Sequence, residues 1–282
     1  VMVVDGAEPT GPGGGRWGRR RLLGGGALLA GGVALGATGM SRGTWLADRH
    51  LPLSGGPASA TVGNRRQDVG SGGLQVVWHV PTTRRLVALT FDDGPLPQWT
   101  PTVLDTLDTH AVPATFFLVG ERVRRHAGLI RGRLARHEVG NHSWRHRDLA
   151  RLAAAAVHDD LRRSHETIAE VTGMPPRLVR PPYGHLGGGV LHAAVRLDYR
   201  VVLWSLQMVE GEYPDDPAGH ARRIVSDVVP GTILLAHDAG PENRQVALRG
   251  LAAMITGLRA RGYTFVTVSE LLAHPTGSRT GG

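Results

Sequence analysis

The sequence predicts an α/β protein built on a parallel sheet, and two observations carry that expectation. From Arg84 onward, short apolar runs alternate with helix-like segments, the order that sets strands parallel and covers both faces of their sheet. The residues able to do chemistry recur where those runs end, and the C-terminal ends of strands form the face on which α/β barrels build their sites. The resulting seven strand–helix units fit either an open sheet or one closed into a barrel.

The strand-like runs cover residues 86–91, 114–119, 138–140, 178–180, 200–204, 232–236 and 264–266, and a further short strand could form within 74–80. Between them, Thr100 is placed to cap a helix with Pro101 at its first position, and Val103, Leu104 and Leu107 share one face. Leu149, Leu152, Ala156, Leu161, Ile168 and Val171 mark a long helix that Gly173 stops. Residues 243–261 make another. No internal repeat is visible.

Composition excludes several classes of function. The chain has 282 residues, 41% of them hydrophobic, enough to bury a core as one large domain or two small ones. It contains no cysteine, so disulfides, thiolate metal sites and thiol catalysis are excluded. All 32 basic side chains are arginine, which rules out lysine chemistry. Of the net charge of +8, residues 1–83 carry +4, residues 84–273 carry +3 and Arg279 carries the rest. No arginine stripe interleaved with aromatics appears, which argues against nucleic-acid binding.

Residues 1–40 read as an export signal. Arg19-Arg20-Arg21 opens a Gly/Ala/Leu stretch, a charged region followed by a short apolar one. The paired arginines resemble the twin-arginine type. A retained N-terminal anchor is the alternative, although about 16 apolar residues with six glycines make a short and weak span. Residues 41–83, rich in Gly, Ser, Pro and Arg, read as a linker. Residues 84–273 read as the folded region that carries any chemistry and 274–282 as a flexible tail.

Chemistry concentrates in Thr90-Phe91-Asp92-Asp93-Gly94 and His142-Ser143-Trp144-Arg145-His146. Within a regular strand the two aspartates would point to opposite faces. At a strand end turned by Gly94-Pro95 both can approach one site. His142 and His146 are spaced to share one face of a helical turn, as zinc ligands often are. Taken singly, the motifs have ordinary explanations: a solvated Asp-Asp-Gly turn and surface histidines. Together they suggest a hydrolytic metal site with Asp93, His142 and His146 as ligands and open positions. Zinc is favoured, while two imidazoles and a carboxylate also suit Fe(II) or Co(II). Asp92 is then free to act as a base toward water. A metal-free glycosidase is disfavoured, because its carboxyls flank the bond from opposite sides.

Two further segments complete the pattern. Arg180-Pro181-Pro182-Tyr183-Gly184 reads as a stiff, extended stretch whose Tyr183 N–H could serve as an oxyanion donor. Arg180 could orient a carboxylate, with Asp92 the candidate. His237 follows a buried strand directly and suits a general acid for a leaving amine. The alternatives are a connecting loop and a capping histidine. His185, beside the Pro-rich segment, is read as a surface residue.

These residues, in this order and spacing, resemble the polysaccharide deacetylases of carbohydrate esterase family 4. The segments Pro113–Gly120 and Glu138–His142 are also similar to that family. The resemblance covers residues 84–273. It implies a distorted (β/α) barrel of about seven parallel strands, and a hydrolase of carbon–nitrogen bonds in linear amides that removes acetyl groups from a sugar polymer. On that reading Asp92 is the base, Asp93, His142 and His146 bind a divalent metal (Zn2+, with Co2+ as an option), Tyr183 N–H helps hold the oxyanion, His237 is the acid and Arg180 positions Asp92. The implied partner is an acetylated polysaccharide, peptidoglycan or chitin-type, in an extracellular or cell-envelope location. Transient membrane contact through the N-terminal segment stays open, and oligomeric state is not legible.

One segment departs from the family. Where it usually has Asp-x-x-Asp-Trp, this chain has Gln207 and Gly211 in place of the first Asp and the Trp, and Glu210 in place of the second Asp. Glu210 is placed to tune His237 with a side chain one methylene longer. The departure leaves two alternatives open: an O-deacetylase of acetylxylan-like polymers, and a degenerate glycan-binding module.

Overall fold

The computed structural model describes residues 74–275. The expected export segment, the linker up to residue 73 and the tail from residue 276 lie outside the described residues. In chain order the described elements begin with β1 (Val76–Val77), β2 (Leu86–Asp92), α1 (Thr100–Thr109), β3 (Thr115–Leu118), α2 (Gly120–Arg125) and β4 (Glu138–Asn141). They continue with α3 (Ala154–Thr172), β5 (Leu178–Val179), α4 (Gly188–Arg196), β6 (Arg200–Val202) and β7 (Leu206–Gln207). The last are α5 (Pro217–Asp227), β8 (Thr232–His237), α6 (Gln245–Ala260), β9 (Thr264–Val266) and α7 (Val268–Leu272).

Every ladder of the sheet is parallel. The order is β1-β6-β5-β4-β3-β2-β8-β7, with β9 also on β2. β2 pairs with β9 at its start (Leu86–Ala88) and with β3 at its end (Thr90–Asp92). The sheet curls into a half-barrel, and the segments that follow β1 and β6 return to β8 through backbone hydrogen bonds. Ser205 N–H donates to Ile233 O and Val80 N–H to Gly231 O, both at 3.0 Å. All seven expected strands are present; β1 falls within the short strand expected at 74–80, and β7 is an addition. Residues 74–83, read as linker, therefore contribute to the fold. Among the described residues no helix is long and apolar enough to cross a membrane.

β2 is buried along its whole length, which is why it reads as a nearly unbroken apolar run. Val87, Leu89 and Phe91 pack with Val103, Leu104 and Leu107 of α1 and with Met254, Ile255 and Leu258 of α6. The alternate residues Leu86 and Ala88 join a second cluster with Phe117, Val179, Ile233 and Leu235. Thr90 and Asp92 continue that second face by the period of two. Each large side chain contributes about 1.5–3 kcal/mol by its burial. A one-residue slip would turn all of them to the wrong face, so hydrophobic packing also fixes where Asp92 points.

Three local expectations are corrected. Thr100 does not cap α1: the cap position is Trp99, and the Thr100 hydroxyl instead accepts from Leu96 N–H and donates to Asp238. The long helix starts at Ala154 rather than Leu149; Leu149–Arg151 forms a separate 3-10 turn. Its end is as expected, with Gly173 left-handed at φ 73°. The segment 182–184 is a 3-10 turn rather than an extended stretch, because Tyr183 adopts φ 63°.

Gly140 of β4 shows how closely side chains pack across neighbouring strands, since Phe117 of β3 is its register partner. A Cβ there would stand 2.4 Å from Phe117 Cδ1, and the Phe117 ring carries the Arg180 guanidinium 4.0 Å above its centre. Gly140→Ala is therefore expected to displace the ring and cost about 1–3 kcal/mol as overpacking. Urea denaturation measures this; a wild-type midpoint in the variant would show that the Phe117 ring can move aside freely.

Candidate active site

Parallel register brings the candidate residues to one end of the sheet. Asp92 is paired with His237 across the β2–β8 ladder and with Phe117 across β2–β3. Leu118 is paired with Asn141, and Asn141 with Val179. His142 and Arg180 each follow directly on those strand ends.

Arg180 is completely buried and its guanidinium is spent on four acceptors. Nε donates to Val202 O at 3.0 Å and Nη2 to Leu203 O at 2.9 Å. Nη1 donates to Thr90 Oγ1 at 2.9 Å and to Asp92 Oδ1 at 2.6 Å. The last is an ion pair between side chains 0% and 4% exposed, the geometry in which a buried arginine is tolerated. Asp92 is thereby held by Oδ1, while Oδ2 faces His142 Nε2 at 3.7 Å.

Asp93 reaches the same space by a backbone device. Its φ of 80° turns the chain out of the strand, and Arg122 Nη1 donates to its carbonyl at 2.6 Å. Its Oδ1 lies 2.9 Å from His146 Nε2 and 3.5 Å from His142 Nε2, yet is buried without a hydrogen-bonding partner. The 2.9 Å approach therefore lacks hydrogen-bond geometry: oxygen and nitrogen converge on common ground rather than on each other. Burial pushes the Asp93 carboxyl up, but the two imidazoles outweigh it and hold it well below the usual carboxylate range.

The histidines are not on a helical turn. Ser143 and His146 have φ of 71° and 56°, and the loop is held from outside. Asn141 Oδ1 accepts from Ser143 N–H and Asp160 Oδ1 of α3 from Trp144 N–H, at 2.9 and 2.7 Å. Ser143 O and Trp144 O accept from Gly120 N–H and Glu121 N–H of α2. His142 Nδ1 lies 2.6 Å from Arg180 O, which assigns the proton to Nδ1 and leaves Nε2 as a lone-pair donor. Burial lowers the proton affinity of His142, but Asp92 and Asp93 raise it more. Ligand atoms of Asp93, His142 and His146 lie within 4.8 Å of one another. Two imidazole nitrogens and an orphaned carboxylate oxygen fit a divalent transition metal with positions left open.

The remaining candidates surround this cluster. Tyr183 is 54% exposed and its ring lies 4.9 Å from that of His146. Glu210 is buried beside His237, but the 3.7 Å between Oε1 and Nδ1 is no hydrogen bond, and His237 Nδ1 is unpartnered. Gln207 lies in β7, paired with Leu235 of β8. At Gly211 a Cβ would meet nothing within 4 Å beyond its chain neighbours, so the position where the family usually carries Trp faces open space. His185, read as a surface residue, is half-buried against Asp148.

Residues 79–202 match the family model "Polysaccharide deacetylase". A peptidoglycan-N-acetylglucosamine deacetylase of Bacillus cereus is 35% identical over 201 residues, spanning 71% of this chain and 93% of that protein. The chain belongs to the polysaccharide deacetylase family. A chitooligosaccharide deacetylase of a Bradyrhizobium species is 38% identical, over 66% of this chain and 90% of that one. The crystal structure of the Bc1960 peptidoglycan N-acetylglucosamine deacetylase superposes with a TM-score of 0.65 at 29% identity, covering 70% of this chain and 92% of the other. Such a polysaccharide deacetylase is a hydrolase of amide bonds in acetylated polysaccharides, and the expected distorted (β/α) barrel is present as a curled half-barrel of parallel strands.

One part of this deacetylase site escaped the sequence reading. Asp238, next to His237, is fully buried and accepts from Gly94 N–H at 2.9 Å and Thr100 Oγ1 at 2.6 Å. It ties the Asp-Asp-Gly turn to β8. Its adjacency to His237 was the available signal, and the reading of Thr100 as a cap obscured its partner. Burial pushes the Asp238 carboxyl up to about 7. Between about 3.9, the value for an unfolded Asp, and about 7 the native state binds more protons than the unfolded chain, so stability falls as pH rises through that window. In chelator-treated protein, Asp238→Asn is expected to lack the part of the pH 5–8 stability slope that this carboxyl contributes, so that wild type loses more stability, or gains less, than the variant as pH rises. Identical slopes in urea denaturation would contradict the assignment.

Proposed function

We propose that the protein removes N-acetyl groups from an N-acetylglucosamine-containing polysaccharide, peptidoglycan or chitin-type, releasing acetate and a free amine, with zinc held by Asp93, His142 and His146. The observation that carries this reading is the unequal treatment of two adjacent carboxylates. Asp92 is tied down by Arg180 through one oxygen, whereas Asp93 presents a buried, unpartnered oxygen to two imidazoles. The peptidoglycan and chitooligosaccharide deacetylases among its relatives support the choice of an amide on a glucosamine unit.

When bound, a divalent cation polarises the acetyl carbonyl and makes water at the site more acidic. Asp92 takes the proton of the attacking water through Oδ2, the oxygen Arg180 leaves available. Arg180 holds that carboxylate in one orientation, which is worth more than proximity alone. Tyr183, whose left-handed backbone (φ 63°) turns its N–H in the 182–184 loop, donates to the developing oxyanion. His237, the register neighbour of Asp92, delivers a proton to the departing nitrogen, so the C–N bond breaks to a neutral amine. Glu210 lies buried 3.7 Å from His237 Nδ1 and flanks it from the 3-10 turn Glu210–Glu212. The Arg19-Arg20-Arg21 segment and the Gly/Ala/Leu stretch after it support export to the cell envelope, where such a polymer lies.

Two outcomes test the reaction. Chelator-stripped protein is expected to be inactive and to recover with zinc, releasing acetate and new amines in equal amounts from chitooligosaccharides or peptidoglycan. Acetate without amine, from acetylxylan alone, would replace this reading with O-deacetylation; no metal-restored activity on any of the three would support a binding module. Asp92→Asn is expected to lower kcat by at least 10²-fold, in line with the loss of a general base, and normal turnover in that variant would remove Asp92 from the chemistry.

A further inference from the structure

Arg244, which the sequence pattern did not single out, reaches the proposed ligand cluster. It ends the 3-10 turn Glu242–Arg244 that leads into α6. Its Nη1 lies 3.3 Å from Asp93 Oδ2 and 3.3 Å from Ala239 O. The loop between His237 and α6 is shaped around this side chain. Gly240 has φ 128°, and a Cβ there would stand 2.8 Å from Arg244 Cδ and 2.9 Å from Nη1. The guanidinium therefore crosses bare backbone on its way to the carboxylate.

Asp93 is consequently gripped twice by arginine, and differently each time. Arg122 holds the backbone carbonyl, while Arg244 holds the outer carboxylate oxygen. Oδ1 is left to face His142 and His146. A carboxylate on a left-handed residue at a strand end would otherwise be free to rotate and to offer either oxygen, or both.

We infer that Arg244 is a positioning residue that makes Asp93 a one-oxygen ligand, preserving open coordination positions for water and substrate. The inference rests on Asp93 being a metal ligand. Partners of ligating groups fix their orientation, and their loss typically costs about 10–100-fold in metal affinity. Both contacts are made by Nη1, so lysine keeps the charge and donors but loses the planar guanidinium that lies against Gly240.

The test uses the full chain, stripped with chelator, as wild type, Arg244→Ala and Arg244→Lys. Zinc affinity is read by competition with a chromophoric chelator, and ligand geometry by the visible spectrum of the cobalt-loaded protein. Arg244→Ala is expected to bind zinc about tenfold or more weakly and to change the cobalt spectrum, with Arg244→Lys intermediate in affinity. Wild-type affinity with an unchanged spectrum in both variants overturns the inference. So does tighter zinc binding, which would make Arg244 an opposing charge rather than a positioning group. If wild type binds neither metal, the ligand reading of Asp93 fails and the inference falls with it; if wild type binds and both variants match it, the inference fails alone.

Discussion

The site depends on one buried cation. Arg180 draws together groups from three strands or their ends: Thr90 and Asp92 of β2, its own position after β5, Val202 of β6 and the adjoining Leu203. Thr90 Oγ1 passes the connection on to Leu234 O of β8. Such a pair adds little net stability, because desolvating both charges offsets their attraction, yet removing one partner costs about 3–5 kcal/mol by leaving the other charge buried alone. What it supplies is orientation. With Oδ1 of Asp92 occupied, only Oδ2 remains toward the ligand cluster, and the main-chain carbonyl of Arg180 fixes the ring of His142 as well. One residue thus sets both the proposed base and a proposed ligand.

Strain is concentrated around the same point. Of the seven non-glycine residues with positive φ among those described, Asp93, Ser143, His146 and Tyr183 belong to this site. Each left-handed residue costs roughly 1–2 kcal/mol, and such conformations persist where surrounding contacts over-determine them. Those contacts are present: Arg122 on Asp93 O, Asn141 and Asp160 on the histidine loop, and Asp238 on Gly94. The sheet core supplies the rigid frame, and the loops store the geometry of the site on its rim.

The strands were legible because a buried parallel strand writes itself as an apolar run, and β2 is buried at every residue. The candidate site was legible because its residues end those runs, so strand order and register carried them to one face. Short-range geometry was less legible. The four-residue spacing of His142 and His146 read as helical, but Ser143 and His146 are left-handed and the pair converges through a braced loop. The roles of Asp238, Arg122 and Arg244 depend on partners 144, 29 and 151 residues away, which no local pattern records. Glu210 lies between these cases: its neighbourhood to His237 was readable, but not the 3.7 Å gap that keeps the two from hydrogen bonding.

The central claim is that Asp92 and Asp93, adjacent in sequence and alike in chemistry, are separated into base and ligand by what holds them. It is tested most directly by measuring zinc affinity of Asp92→Asn and Asp93→Asn side by side, each against wild type. The account gives Asp92→Asn an affinity close to wild type, because Asp92 is engaged by Arg180, and gives Asp93→Asn a loss of at least about tenfold, the low end for a perturbed metal shell. Equal losses in the two variants, or a loss confined to Asp92→Asn, would contradict it.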